Sequence, residues 1–132
     1  MKVKTSELAG AALAWAVALA EGHKPPLLRI LRGNVALPDE EDPMWCDYLD
    51  YSEDWELAGP IITRAKISIH FCVDTRDING LYIHAHTMQN MDHGYWRGDH
   101  EKPLTAAMRC YCYAKLGEFV DIPEELCQQE SR

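Results

Sequence analysis

Two short segments switch from helical spacing to strict alternation, and they set the fold class. In Ile67-Ser68-Ile69-His70-Phe71-Cys72-Val73, the apolar residues Ile67, Ile69, Phe71 and Val73 share one face. In Leu81-Tyr82-Ile83-His84-Ala85-His86-Thr87, Leu81, Ile83 and Ala85 do the same. Period two over about seven residues marks a strand with one buried face. The linker Asp74–Gly80 ends in Asn79-Gly80, a turn signal. A symmetric antiparallel hairpin then sets His70 across from His84, Cys72 from Tyr82 and Ser68 from His86. A third strand is expected around Gly94–Gly98.

Helical spacing surrounds this hairpin. Leu8, Ala12, Trp15 and Leu19 form one face of an N-terminal helix, and Leu13, Val17 and Ala20 a second. Thr5 or Ser6 is its expected cap, Glu7 lies in its first turn, and Gly22 is its stop. A helix apolar on nearly every side is either central or packed on a partner as well. The same stretch imitates a secretory signal, but its run is too short to span a bilayer. A helical segment interrupted or restarted at Gly59-Pro60 is expected from Ser52 through Ile67, with Ser52 as cap, Glu53 and Asp54 on the helix dipole, and Trp55 anchored toward the core. Pro60 is expected near a helix start, and Ile61, Ile62, Ala65 and Ile67 on the buried side. A C-terminal helix runs from Pro103 to a stop at Gly117. Its core face is Leu104, Ala107, Met108, Tyr111 and Ala114; Thr105, Arg109 and Tyr113 lie on another. The expectation is one α+β domain over residues 1–132: a small antiparallel sheet of about three strands packed with N-terminal, central and C-terminal helices. The stretch His23–Asp50 is weakly patterned: Leu27–Arg32 reads as a short strand or a turn, and an acidic loop follows at Pro38–Pro43.

Charge and cysteine usage narrow the function. The net charge is −8, and no basic run exceeds two residues. Duplex DNA binding, which draws its affinity from phosphate neutralisation, is not expected. Five cysteines with no CxxC pair make neither a disulfide framework nor a zinc ribbon, and fit reduced thiols in a cytoplasm.

The segments "MKVKTSELAGAALAWAVALAEG", "YSEDWELAGPII" and "PLTAAMRCYCYAKLGEFVDIPEEL" resemble the NinX family of small tailed-phage proteins, and more distantly the phage α/β/α-sandwich domain. The family-like positions are Trp15, Tyr51, Ser52, Asp54, Trp55, Gly59, Pro60 and Arg109. The resemblance implies a phage or prophage origin, a cytoplasmic location during infection and a compact α+β fold. It carries no catalytic residues. Where Ala14 and Leu19 stand, the family tends to have an acid and a lysine. The more apolar helix here points to self-association through the Ala14/Leu19 side. Ala58-Gly59-Pro60 stands where the family tends to have Gly-Gly-Pro, and residues 70–99 match poorly.

Several sites compete. Trp96 and Arg97 precede the start of the last helix, where Lys102 and Thr105 stand and a helix dipole favours an anion. With Arg109 and the histidines His70, His84 and His86, they form a candidate pocket for a small anionic, nucleotide-type ligand. Sequestration of such a host-defence signal is the leading expectation, without enzymatic activity or cofactor. A protein-interaction module in phage replication or recombination, or an inhibitor of a host protein, is the alternative. The same histidines with Cys72 have ligand types suited to a metal, and a metal-dependent hydrolase is the third reading. No fixed ligand spacing supports it, so no metal and no catalytic residue is assigned. Asp54 and Glu56, two apart on a helix, do not face each other as an acid–base pair.

Overall fold

The computed structural model describes residues 1–42, 44–73, 81–87, 96–100 and 102–130, with backbone alone for residues 72, 73, 81, 82, 84, 96–100 and 128–130. In chain order these form β1 (Lys2–Lys4), α1 (Gly10–Ala20), β2 (Arg29–Leu31), β3 (Asn34–Pro38), β4 (Cys46–Tyr48) and α2 (Trp55–Ala65). Then come β5 (Ser68–Val73), β6 (Leu81–Thr87), β7 (Trp96–His100), α3 (Pro103–Leu116), β8 (Phe119–Asp121) and α4 (Glu124–Glu130). The fold class is α+β, as the change of period requires.

The hairpin register matches the symmetric pairing: Ser68 opposes His86, His70 opposes His84 and Cys72 opposes Tyr82. Strand β7 extends this sheet on the far side of β6, in the order β5-β6-β7. Helix α3 lies between the sheet and α1, packing on β6 and β7 on one side and on α1 on the other. Ile83, Ala85 and Thr87 are buried on the α3 side of β6. Thr87 Oγ1 donates to Ala65 O at 2.6 Å, which joins the end of β6 to the end of α2. Phe71 shares the apolar face of Ile67 and Ile69 yet is exposed, because β5 is an edge strand that α3 covers little.

Helix α1 is central: every residue from Ala12 to Ala18 is buried within the chain itself. Its apolarity is thereby accounted for at Ala14, which is 3% exposed, while Leu19 is half-buried. The helix begins later than its sequence suggests. Residues Lys2–Lys4 pair with β8, and Thr5–Glu7 form a single 3-10 turn. Thr5 is used for tertiary bonding instead of capping: its N–H donates to Glu118 O at 2.8 Å and its hydroxyl to Gly117 O at 2.5 Å.

Helix α2 is displaced in the same way. Asp54, not Ser52, is the cap, accepting from the Glu56 N–H at 2.9 Å. Tyr51 and Ser52 are drawn into the interior, which takes Ser52 out of the capping position. Trp55 consequently opens the helix on its outer side and is exposed rather than anchored in the core. Pro60 falls inside the helix rather than near its start.

The weakly patterned stretch holds a three-stranded meander, β2-β3-β4. Leu31 pairs with Asn34 around Arg32-Gly33, whose φ values of 52° and 78° are both positive. A two-residue hairpin needs that geometry to follow strand twist, and glycine supplies half of it without steric cost.

Candidate functional site

The acidic loop after β3 has an internal use for its carboxylates. Asp39 Oδ1 accepts from the N–H groups of Glu41 (2.8 Å) and Asp42 (3.3 Å). Asp42 Oδ1 accepts from Met44 N–H at 3.1 Å. The Asp39 N–H donates to Trp45 O at 2.8 Å and the Trp45 N–H to Asp42 O at 2.9 Å, so the loop closes on itself. Such side-chain-to-backbone bonds favour one turn geometry. The loop that results presents its apolar residues outward. Met44 is 93% exposed, Trp45 63% and Tyr48 50%.

These three side chains, with Leu31, Arg32 and Cys46, line a groove of about 460 Å³. Tyr48 also borders a second cleft of about 420 Å³, whose walls include Gly10, Ala14, Asn34, Asp50, Ser52 and Glu53. Burial first, and then the charge of Glu53, push the Asp50 carboxyl above its ordinary value. The Ser52 hydroxyl donates to Asp50 at 3.4 Å and opposes that rise. A cleft walled by two carboxylates suits a cationic or neutral group better than a phosphate. The aromatic ridge was missed from sequence because Met44-Trp45 has no periodic context. Its signal is two large apolar residues that follow a run of four acids after a single proline.

The residues first grouped as a pocket are distributed over several places. Lys102 is the cap residue of α3, and its Nζ donates to Glu53 Oε1 at 2.7 Å. Thr105 is buried in α3. Arg109 donates from Nε to Leu8 O at 2.5 Å, holding the segment before α1. His70 and His86 lie on the sheet face turned away from α3, and their rings stack with centroids 4.8 Å apart and planes 8° from parallel. The side chains of Cys72, His84, Trp96 and Arg97 lie outside the described residues, but their register positions are defined. Arg97 opposes His86 and Trp96 opposes Thr87. Since faces alternate along a strand, Arg97 belongs to the histidine face and Trp96 to the α3 face. The turn at Asn79-Gly80 is outside the described residues.

Of the remaining family-like positions, Trp15 and Tyr51 are buried in the core and Gly59-Pro60 lies on the outer side of α2. Among the described residues, no helix is long and apolar enough to cross a membrane.

A compact α+β domain with a self-closed acidic loop, an exposed aromatic ridge and a histidine-bearing sheet face is thus the class defined here. The model of the family described as Bacteriophage P22, NinX matches residues 4–115. That span takes in most of the chain, including residues 70–99, and the chain belongs to this phage family. No curated protein matches it.

Proposed function

We propose that this NinX-family protein is an interaction module that docks a basic protein segment on the Met44/Trp45/Tyr48 ridge. The observation that carries this reading is the joint exposure of Met44, Trp45 and Tyr48 around one groove on a loop held by its own hydrogen bonds. Exposed aromatic and methionine side chains are typical anchors of protein interfaces, and a fixed loop loses little entropy when it binds. The partner's chemistry follows from charge. Asp39, Glu40, Glu41 and Asp42 precede the ridge in sequence, in a chain of net charge −8. An apolar residue flanked by lysines or arginines fits there, and steering makes its capture salt-dependent.

The test is a random peptide library displayed against the purified protein. Selected peptides should carry an apolar residue between basic ones, and Trp45→Ala should weaken them at least tenfold without changing thermal stability. Selection of acidic peptides, or equal binding by Trp45→Ala, defeats the proposal.

A second reading keeps a small anionic ligand, a nucleotide-type signal, on the histidine face. It is supported by the register of Arg97 opposite His86, on the face that His70 shares. Calorimetry with cyclic and ADP-ribose-type nucleotides tests it; absence of heat across that panel removes it.

A further inference from the structure

The open edge of a sheet presents a row of unpaired N–H and C=O groups, and folded chains blunt it with charges, proline, bulges or short length. Among the described residues, the edge strands follow that rule with one exception. Strands β1, β2, β4 and β8 are three residues long and β7 is five. Each also carries charge: Lys2, Arg29, Asp47 and Asp121 in the four short strands, Arg97 and Asp99 in β7. Strand β5 is the exception. Ser68–Val73 is six residues long, pairs one for one with β6 without a bulge, and holds no Lys, Arg, Asp, Glu or Pro. Near its middle, Phe71 is 68% exposed. We propose that β5 is the interface of a twofold homodimer, pairing antiparallel with β5 of a second copy to make one six-stranded sheet.

A second copy suits this edge because the edge is complementary to itself. A twofold axis perpendicular to the sheet runs the two strands antiparallel and keeps both α3 helices on the same side. Two registers centre the strand on itself, and they set Phe71 opposite either Phe71 or Ile69 of the second copy. In both, the exposed phenyl ring gains an apolar neighbour. Phe71 opposes Ile83, so it lies on the α3 side, where α3 packs on β6 and β7 but reaches β5 little. The dimer thus has a trough between its two α3 helices, over the joint, and the two Phe71 side chains fill it. Charge favours the same contact. Copies of a chain with net charge −8 repel each other, and β5 is a stretch without a carboxylate. The assembly also closes at two, because its outer edges are then the β7 strands, which carry charge and pack against α3. The joint is small: six residues rise about 20 Å and exchange about four to six ladder hydrogen bonds. That places the dimer at the weak end of specific interfaces, with a dissociation constant of about 1–100 μM. The aromatic ridge borders a different sheet and takes no part in this contact.

The experiment uses the full chain. Sedimentation equilibrium from about 1 μM to about 1 mM should show a monomer–dimer equilibrium and nothing larger. Phe71→Lys places a charge on the edge at a position exposed in the single chain. It should weaken the dimer at least tenfold and leave the circular dichroism spectrum unchanged. Trp45→Ala and Phe119→Lys, at exposed aromatic residues elsewhere, should dimerise as the wild type does. Amide hydrogen exchange of the wild type, compared at the two ends of the concentration range, should slow at alternate residues of β5, those whose N–H points away from β6. A chain that stays monomeric at the highest concentration overturns the interface. So does a dimer unaffected by Phe71→Lys, an assembly larger than two, or β5 amides that exchange equally fast at both concentrations. The exchange measurement needs no variant, so it decides the question even if Phe71→Lys fails to fold.

Discussion

Tyr111 donates its phenolic hydroxyl to Glu21 Oε2 at 2.5 Å, across 90 positions of sequence. Arg64 reaches the same oxygen at 2.5 Å, so the last turns of α1 and α2 meet on α3 at one carboxylate. Tyr51 is buried close by, where the Glu21 charge acts on it. Burial first, and then Glu21, keep both phenols protonated, and each is pushed up to about 12 from an ordinary 10. The sign follows. Unfolded tyrosines release their protons near pH 10 and these two do so only near 12, so the neutral form is favoured by the fold. Their contribution to stability is fully present below pH 10 and is lost as pH rises from 10 to 12. Urea midpoints measured between pH 8 and 12 should fall steeply above 10. Tyr51→Phe and Tyr111→Phe should each flatten that fall; an unchanged slope in both variants refutes the assignment. At neutral pH, Tyr111→Phe should also cost about 1.5–3 kcal/mol, the range for a hydrogen bond to a charged group.

The capping of α2 gives a sharper test of a place where sequence and structure part. Asp54 accepts from the Glu56 N–H, whereas Ser52 turns its hydroxyl to Asp50. Asp54→Ala should therefore cost about 1 kcal/mol of stability, as removal of a helix cap does. Asp54→Asn or Asp54→Ser should restore most of it. The same rescue pattern at position 52, with none at 54, would return the cap to Ser52.

What was legible in the chain depended on how far local pattern governs structure. The β5–β6 register could be read because alternation over six or seven residues leaves one solution: a shift by one residue would turn Ile83 and Ala85 to solvent. Helix α3 could be bounded because Pro103 and Gly117 punctuate it. Only the first strand of the meander was legible, as a strand or a turn over Leu27–Arg32, since strands of three to five residues are too short to show a period. Ser52 and Asp54 are both good caps, and only the burial of Tyr51-Ser52 chooses between them. Thr5 is diverted by Gly117 and Glu118, more than a hundred residues away. The aromatic ridge depends on exposure, which a loop sequence does not encode.

Cys110 and Cys112 should be inert in the folded protein. Both have no exposed surface; burial pushes the Cys110 thiol up to about 12 and raises that of Cys112 as well. Only a thiolate reacts readily with alkylating agents. Iodoacetamide at pH 8 followed by peptide mass mapping should leave both unmodified while the half-buried Cys46 and Cys127 are labelled. In denaturant all four should react. Rapid native labelling of Cys112 would mean that α3 is open to solvent far more often than its packing allows.

Gly59 and Pro60 should prove to be energetically coupled. Pro60 sits inside α2, where it donates no hydrogen bond to the carbonyl one turn earlier, and it is exposed, so its ring fills no core space. A Cβ added at Gly59 would meet nothing within 4 Å beyond its chain neighbours, so tertiary packing does not require glycine there. The local reason is the next residue: a proline crowds the Cβ of the residue before it when that residue is helical. Glycine has no Cβ and escapes the clash. Gly59→Ala alone should thus be neutral or destabilising, despite alanine's better helix propensity. Pro60→Ala alone should stabilise by about 1–3 kcal/mol. In the Pro60→Ala background, Gly59→Ala should add a further gain of about 0.5–1 kcal/mol. Chemical denaturation of the two single variants and the double variant closes the cycle. A gain from Gly59→Ala that is the same with and without Pro60 would show that the glycine is kept for some reason other than its neighbour.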